Sequence, residues 1–151
     1  MARRSAAGPA AEVDLQERMI TLIRAFGLHK PDETPCGKPV SVAEAHALLE
    51  LSHGEPLLQK ELVARLRLEK STVSRLVGIL KDRGWVECSR SPQDGRAVEL
   101  RLTETGQRTA EDIAVARRAK FARVLDAIPS EKRASVLESM KVLEEAMSES
   151  E

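Results

Sequence analysis

Between Leu57 and Leu102 the apolar residues change their spacing, and no other feature narrows the fold as much. Over residues 59–66 and again over 69–83 they recur at the three- and four-residue steps of helices. Val73, Leu76, Val77 and Leu80 make one face of the second helix. So few residues separate the two that they read as a helix-turn-helix. Gly84 follows and supplies a left-handed C-cap position at little steric cost. The spacing then drops to two. Val98, Leu100 and Leu102 alternate with Ala97, Glu99 and Arg101, so residues 97–102 are a strand with one buried face. Residues 85–90 are its partner strand, and Ser91-Pro-Gln-Asp-Gly95 between them is dense in turn residues.

The flanks are helical. Val13, Met19, Ile20, Ile23 and Phe26 hold helical spacing over about five turns. Residues 1–8 before them are small and unpatterned, as in a mobile arm. Pro31, Pro35, Gly37 and Pro39 then mark a loop. Ser41-Val-Ala-Glu44 is a capping box, opening a short helix expected to bury Val42, Ala45 and Leu49 and to stop at His53-Gly-Glu-Pro56. Thr103 can cap a long helix in which Ala110, Ile113, Ala114, Arg117, Phe121, Val124 and Ile128 repeat. Pro129 breaks it, and Ser130 is expected to cap a last helix with Val136, Met140, Leu143 and Met147 along one stripe. The chain is thus mainly α with a small β-hairpin wing, a winged helix-turn-helix with outer helices. It divides into an arm (1–8), an N-terminal helix and loop (9–40), a winged helix-turn-helix lobe (41–102) and C-terminal helices (103–151).

Composition excludes other classes. Aromatics are only 2% of the residues, which argues against a β-sandwich. No apolar run approaches the ~18 residues of a membrane span, and no h-region follows the N-terminal arginines. Two cysteines are too few for a disulfide scaffold, so a cytoplasmic protein is expected. Walker A, Gly-x-Ser-x-Gly, His-Glu-x-x-His and Cys-x-x-Cys are all missing from the sequence, and neither an enzyme nor a cofactor is expected. His46, Glu50 and His53 share a helix face, but three residues at that spacing fit a pocket lining better than a metal site, and no metal is expected.

The formal charge is zero, yet it is unevenly spread. Residues 57–101 carry ten basic and six acidic side chains, whereas each flank carries two more acidic than basic. A basic centre between acidic arms suits a phosphate-facing lobe. Lys70, Ser71, Thr72, Ser74 and Arg75 open the second helix of the helix-turn-helix. Short hydroxyls and long cations at a helix N-terminus suit major-groove contact. Alone, such a turn fits a solvated polar face equally well; the hairpin behind it favours DNA. Lys60 and Arg90 are further candidates. Arg96 sits at the hairpin tip, where an extended cation reaches a minor groove. Asp94 would repel phosphate, so it and Gly95 are expected to shape the wing, Asp94 by holding Arg96 or another arginine.

These segments, Leu57-Leu-Gln-Lys-Glu-Leu-Val-Ala-Arg-Leu, Lys70-Ser-Thr-Val-Ser-Arg-Leu-Val, Leu80-Lys-Asp-Arg-Gly-Trp-Val and Asp94-Gly-Arg-Ala-Val-Glu-Leu-Arg-Leu-Thr103, resemble the multiple antibiotic resistance regulator (MarR) family from about residue 41 to 106. The Asp-Gly-Arg wing is the most specific element. Glu69 and Leu58 stand where that family usually has capping hydroxyls, and Gly78 lies inside the recognition helix. The resemblance implies a homodimeric transcription factor, usually a repressor, released from DNA by a small molecule or by oxidation. Double-stranded DNA with a pseudo-palindromic site, a second copy and a small-molecule effector are therefore the expected partners. Ile20, Ile23, Phe121, Val124 and Leu143 are expected at the dimer interface. An effector would sit between the lobe and the dimer helices, near Phe26, Ala45, His46, Ile113 and Ala114. Two alternatives stay open: a winged helix used only for protein–protein interaction, and redox sensing through Cys36, a loop thiol near Lys38. Cys88 alternates with Val86 and belongs to the core.

Overall fold

The structure, a computed structural model, describes residues 8–150. The expected arm therefore lies outside the described residues except for Gly8, the N-cap of α1 (Pro9–Phe26). Proline at the first position presets the helical φ, and Gly27 ends the helix at φ 92°, its N–H on the Ile23 carbonyl at 3.0 Å. None of the residues of α1 is buried; Val13, Ile20, Leu22 and Ile23 face outward.

The capping box opens α2 (Val42–Leu51). Ser41 Oγ accepts the Glu44 N–H at 3.1 Å, and Glu44 Oε2 accepts the Ser41 N–H at 2.8 Å. The buried set is Glu44, Ala45, Ala47, Leu48 and Leu51, while Val42 and Leu49, expected inside, are only half-buried. The single-stripe reading fails because α2 is packed against several elements: α3 (Gln59–Leu66), α4 (Lys70–Asp82), α5 (Glu104–Ala127) and one strand. A helix enclosed on several sides buries more than one stripe.

Helices α3 and α4 form the helix-turn-helix. Leu58 has no side chain to cap α3, but Glu61 Oε2 reaches back to its N–H at 2.8 Å. The turn pivots on Arg67 at φ 53°, a left-handed conformation uncommon for a non-glycine residue. After α4, Gly84 takes φ 73°, and the Trp85 N–H returns to the Leu80 carbonyl at 3.0 Å, closing the helix end.

Strands β2 (Val86–Arg90) and β3 (Val98–Leu102) pair antiparallel, with Cys88 opposite Leu100. A further strand, β1 (Leu57–Leu58), pairs with the other edge of β3, giving the order β1-β3-β2. The burial of β3 differs from simple alternation. Leu100 is sealed, Leu102 half-buried, and Val98 exposed, because Val98 has already left the lobe for the wing. Cys88 is half-buried and packs against the core, as its alternation implies.

Thr103 caps α5 by accepting the Gly106 N–H at 3.0 Å while donating to the Gly84 carbonyl at 2.6 Å. One hydroxyl thus ties the end of α4 to the start of α5. Gly106, Ala110 and Ile113 are the buried residues of α5; farther along, Phe121, Val124 and Leu125 lie on the surface. The last helix, α6 (Ser130–Glu149), has Pro129 as its N-cap, with no side-chain cap. Ser130, expected in that role, is already helical, because Pro129 itself supplies the extended residue before the first turn. The core runs from Val40 to Ile113, with Leu48, Leu62, Leu80 and Leu100 at its centre. No helix among the described residues is long and apolar enough to cross a membrane.

Candidate nucleic-acid interface

Helix α4 divides its residues cleanly. Val73, Leu76, Val77 and Leu80 are buried, while Lys70, Ser71, Ser74 and Arg75 are exposed and Thr72 is half-buried. Glu69 is the N-cap and makes no side-chain cap bond, so the first amides of α4 are not capped by that side chain. Beside this end runs an open groove of about 460 Å³ between the starts of α3 and α4 and the wing. Lys60, Lys70 and Arg96 line it, with Val63 and Val98 as apolar walls. Three cations that are distant in sequence thus converge on one surface. Asp94 lines the same groove as the one acidic side chain.

The wing is braced from within. Asp94 Oδ1 accepts the backbone N–H of Arg96 at 3.0 Å, and its carbonyl accepts the Ala97 N–H at 2.9 Å. The expected bond from Asp94 to an arginine guanidinium is not among those found. A two-residue span favours the backbone turn over a side-chain pair. This leaves the Arg96 side chain exposed. Arg90 Nη1 donates to the Gly95 carbonyl at 3.1 Å, so Arg90 holds the wing tip.

One cluster was not legible as a unit. Glu44 is buried, and its Oε1 lies 3.0 Å from Arg83 Nε, an ion pair without the alignment of a hydrogen bond. The Arg83 guanidinium in turn lies 4.9 Å from the centre of the Trp85 ring. The α2 N-terminus is thereby joined to the end of α4 and the base of the wing. The sequence showed Glu44 as a capping residue, but nothing marked Arg83 as its link to Trp85.

A second concavity, about 140 Å³, lies between α1, the following loop, α2 and α5. Phe26, Ala45 and His46 line it as expected, but Ile113 and Ala114 do not. Ile113 is sealed in the core, and α5 presents Arg117, Lys120 and Phe121 instead, one to two turns farther on. The Phe26 and Phe121 rings are 5.4 Å apart, with Lys120 Nζ 5.9 Å from the Phe26 ring centre. Burial and the Arg117 charge hold the His46 pKa below its usual 6.5 against the opposing pull of Glu50. Cys36 also lines the cavity, half-buried, with its Sγ 3.0 Å from Thr34 Oγ1. Among the described residues, no group of three or more His, Cys, Asp or Glu is placed to hold a metal ion.

A helix-turn-helix whose second helix presents hydroxyls and cations, flanked by a cationic wing, defines a winged-helix DNA-binding protein. Known proteins agree. The MarR family model matches residues 38–97. Over 107 residues the chain is 30% identical to a helix-turn-helix-type transcriptional regulator of Mycobacterium bovis, covering 71% of this chain and 69% of that one. A 56-residue stretch is 41% identical to a regulator of the same type from Bacillus subtilis, spanning 37% of this chain and 38% of that protein. The chain belongs to the MarR family of transcriptional regulators. Two solved structures share its fold. The Streptomyces coelicolor regulator PcaV with its natural ligand gives a TM-score of 0.65 at 23% identity, over 97% of this chain and 99% of that one. Streptococcus pneumoniae FabT in complex with DNA gives 0.69 at 19% identity, over 94% and 96%.

Proposed function

We propose that this regulator is a homodimeric repressor that reads a pseudo-palindromic duplex and leaves it when a small molecule fills the cavity beside His46. The observation that carries the reading is the meeting of Lys60, Lys70 and Arg96 around one groove beside the exposed face of α4. In this reading residues 41–102 are the DNA-contacting lobe, with Ser71, Thr72, Ser74 and Arg75 toward base edges and Lys60, Lys70, Arg90 and Arg96 toward phosphate or groove. Residues 9–40 and 103–151 pair with a second copy through Ile20, Ile23, Phe121, Val124 and Leu143. Four of these five are exposed and Leu143 is half-buried, although all five are apolar. Such a protein works in the cytoplasm, beside its DNA.

The cavity supports the effector half of the reading. It is mostly apolar, lies at the junction of lobe and outer helices, and offers His46 and Arg117 as polar anchors. A ligand there changes DNA affinity only by favouring one separation of the two recognition helices.

Selection of bound fragments from random-sequence duplex DNA tests the whole. The expected product is a pair of inverted half-sites about 10–11 bp apart, bound with a steep loss of affinity as salt rises. An asymmetric single half-site, or binding without a salt slope, contradicts the proposal. Placing the selected site over a promoter in a transcription assay separates repression from activation.

A further inference from the structure

Two glycines, Gly78 and Gly106, stand inside helices, and only one of them has a reason within the chain. At Gly106 a Cβ would lie 2.0 Å from the Trp85 carbonyl oxygen, so packing demands glycine there. At Gly78 a Cβ would meet nothing within 4 Å. Nor does Gly78 have the positive φ that glycine alone takes easily. Its one intramolecular effect is to weaken α4, since glycine is among the poorest residues in a helix interior.

Its position is specific. At ~100° per residue, Ser71 and Ser74 lie within about 40° of Gly78 around the helix, and Arg75 and Lys81 about 60° to either side. All five residues are exposed, so Gly78 sits at the centre of the face that α4 turns outward. A bare Cα at that centre is a surface over which another backbone or a base edge can come close.

We infer that Gly78 is a close-approach position, the point at which α4 seats against the floor of the major groove. This rests on the DNA-contacting reading of α4 and adds to it a residue that contributes by having no side chain. A methyl group at Gly78 strengthens the helix and at the same time holds it out of the groove. Stability and specific binding therefore move in opposite directions, which damage to the fold does not produce.

The test compares the full-length parent with Gly78→Ala and Gly78→Leu. The probes are the duplex that the parent selects and an unrelated random-sequence duplex of equal length. The expected Gly78→Ala result is a melting temperature higher by roughly 2–4 °C. Affinity for the selected duplex should fall about tenfold for Ala and about a hundredfold for Leu. Binding to the random duplex and the salt slope should hardly move, because they report phosphate contacts. Gly78→Ala binding the selected duplex as tightly as the parent overturns the inference alone. So does an equal loss on both duplexes with a lowered melting temperature. A parent with no salt-dependent affinity for any duplex overturns the DNA-contacting reading, and this inference with it.

Discussion

Arg75 and Arg96 carry the same charge into different surroundings. Arg75 lies one turn into α4 on the same exposed face as Ser71 and Ser74, the face proposed to meet base edges; Arg96 stands on a wing whose backbone is held by Asp94. Arg75→Ala should therefore relax sequence preference by about 1–3 kcal/mol at one position in each half-site. Arg96→Ala should weaken binding evenly across sequences and reduce the salt slope. Equal affinity and specificity in both variants and the parent would remove both roles. His46 gives a prediction in pH. Its pKa is lowered by burial and by Arg117, so the folded protein binds this proton less readily than the unfolded chain. Its stability is then complete above the usual 6.5 and falls as pH drops from there through the lowered folded value. Urea titrations of the parent and His46→Gln between about pH 5 and 8 should show a shallower acid-side decline in the variant.

Among the elements, those with local signals were legible in the sequence. Ser41 and Glu44 start α2, Thr103 starts α5 and Gly84 ends α4, because each cap is made by residues within a few positions of the other. Strand β1 left no such mark. Leu57 and Leu58 become a strand only because β3 returns some forty residues later to pair with them. The candidate site divides the same way. The polar face of α4 followed from its spacing, whereas the groove joining Lys60, Lys70 and Arg96 depends on how the wing folds back. Ile113 and Ala114 missed the cavity because the depth to which α5 enters the lobe is set by packing. Gly106 records that depth. Gly106→Ala should destabilise the protein by about 1–3 kcal/mol, since a methyl there forces α5 off the Trp85 carbonyl. A chemical-denaturation midpoint equal to that of the parent would place the α5–Trp85 contact in error.

On the scale of the molecule, the core stops at Ile113, and no residue of α1 or α6 is fully buried in the single chain. Helices of 18 and 20 residues with outward apolar side chains need a second surface. Sedimentation at micromolar concentration should therefore find a dimer, and Phe121→Glu should lower dimer content and stability together. A folded, stable monomer in the parent would rule out that use of the outer helices.

The unbroken course of α5 has a geometric consequence. Its 24 residues make a strut of about 36 Å, clamped to the lobe at one end by Thr103, Gly106 and Ala110. Over that length, a tilt of about 5° moves the far end by about 3 Å, close to the rise of one base pair. In the proposed symmetric pair on its two-part site, a hinge of a few degrees at the clamp would be magnified into a step of about one base pair in the spacing of the two α4 helices. In that proposed pair, stiffness in the strut, more than reach in the side chains, would set how much error in that spacing the regulator tolerates.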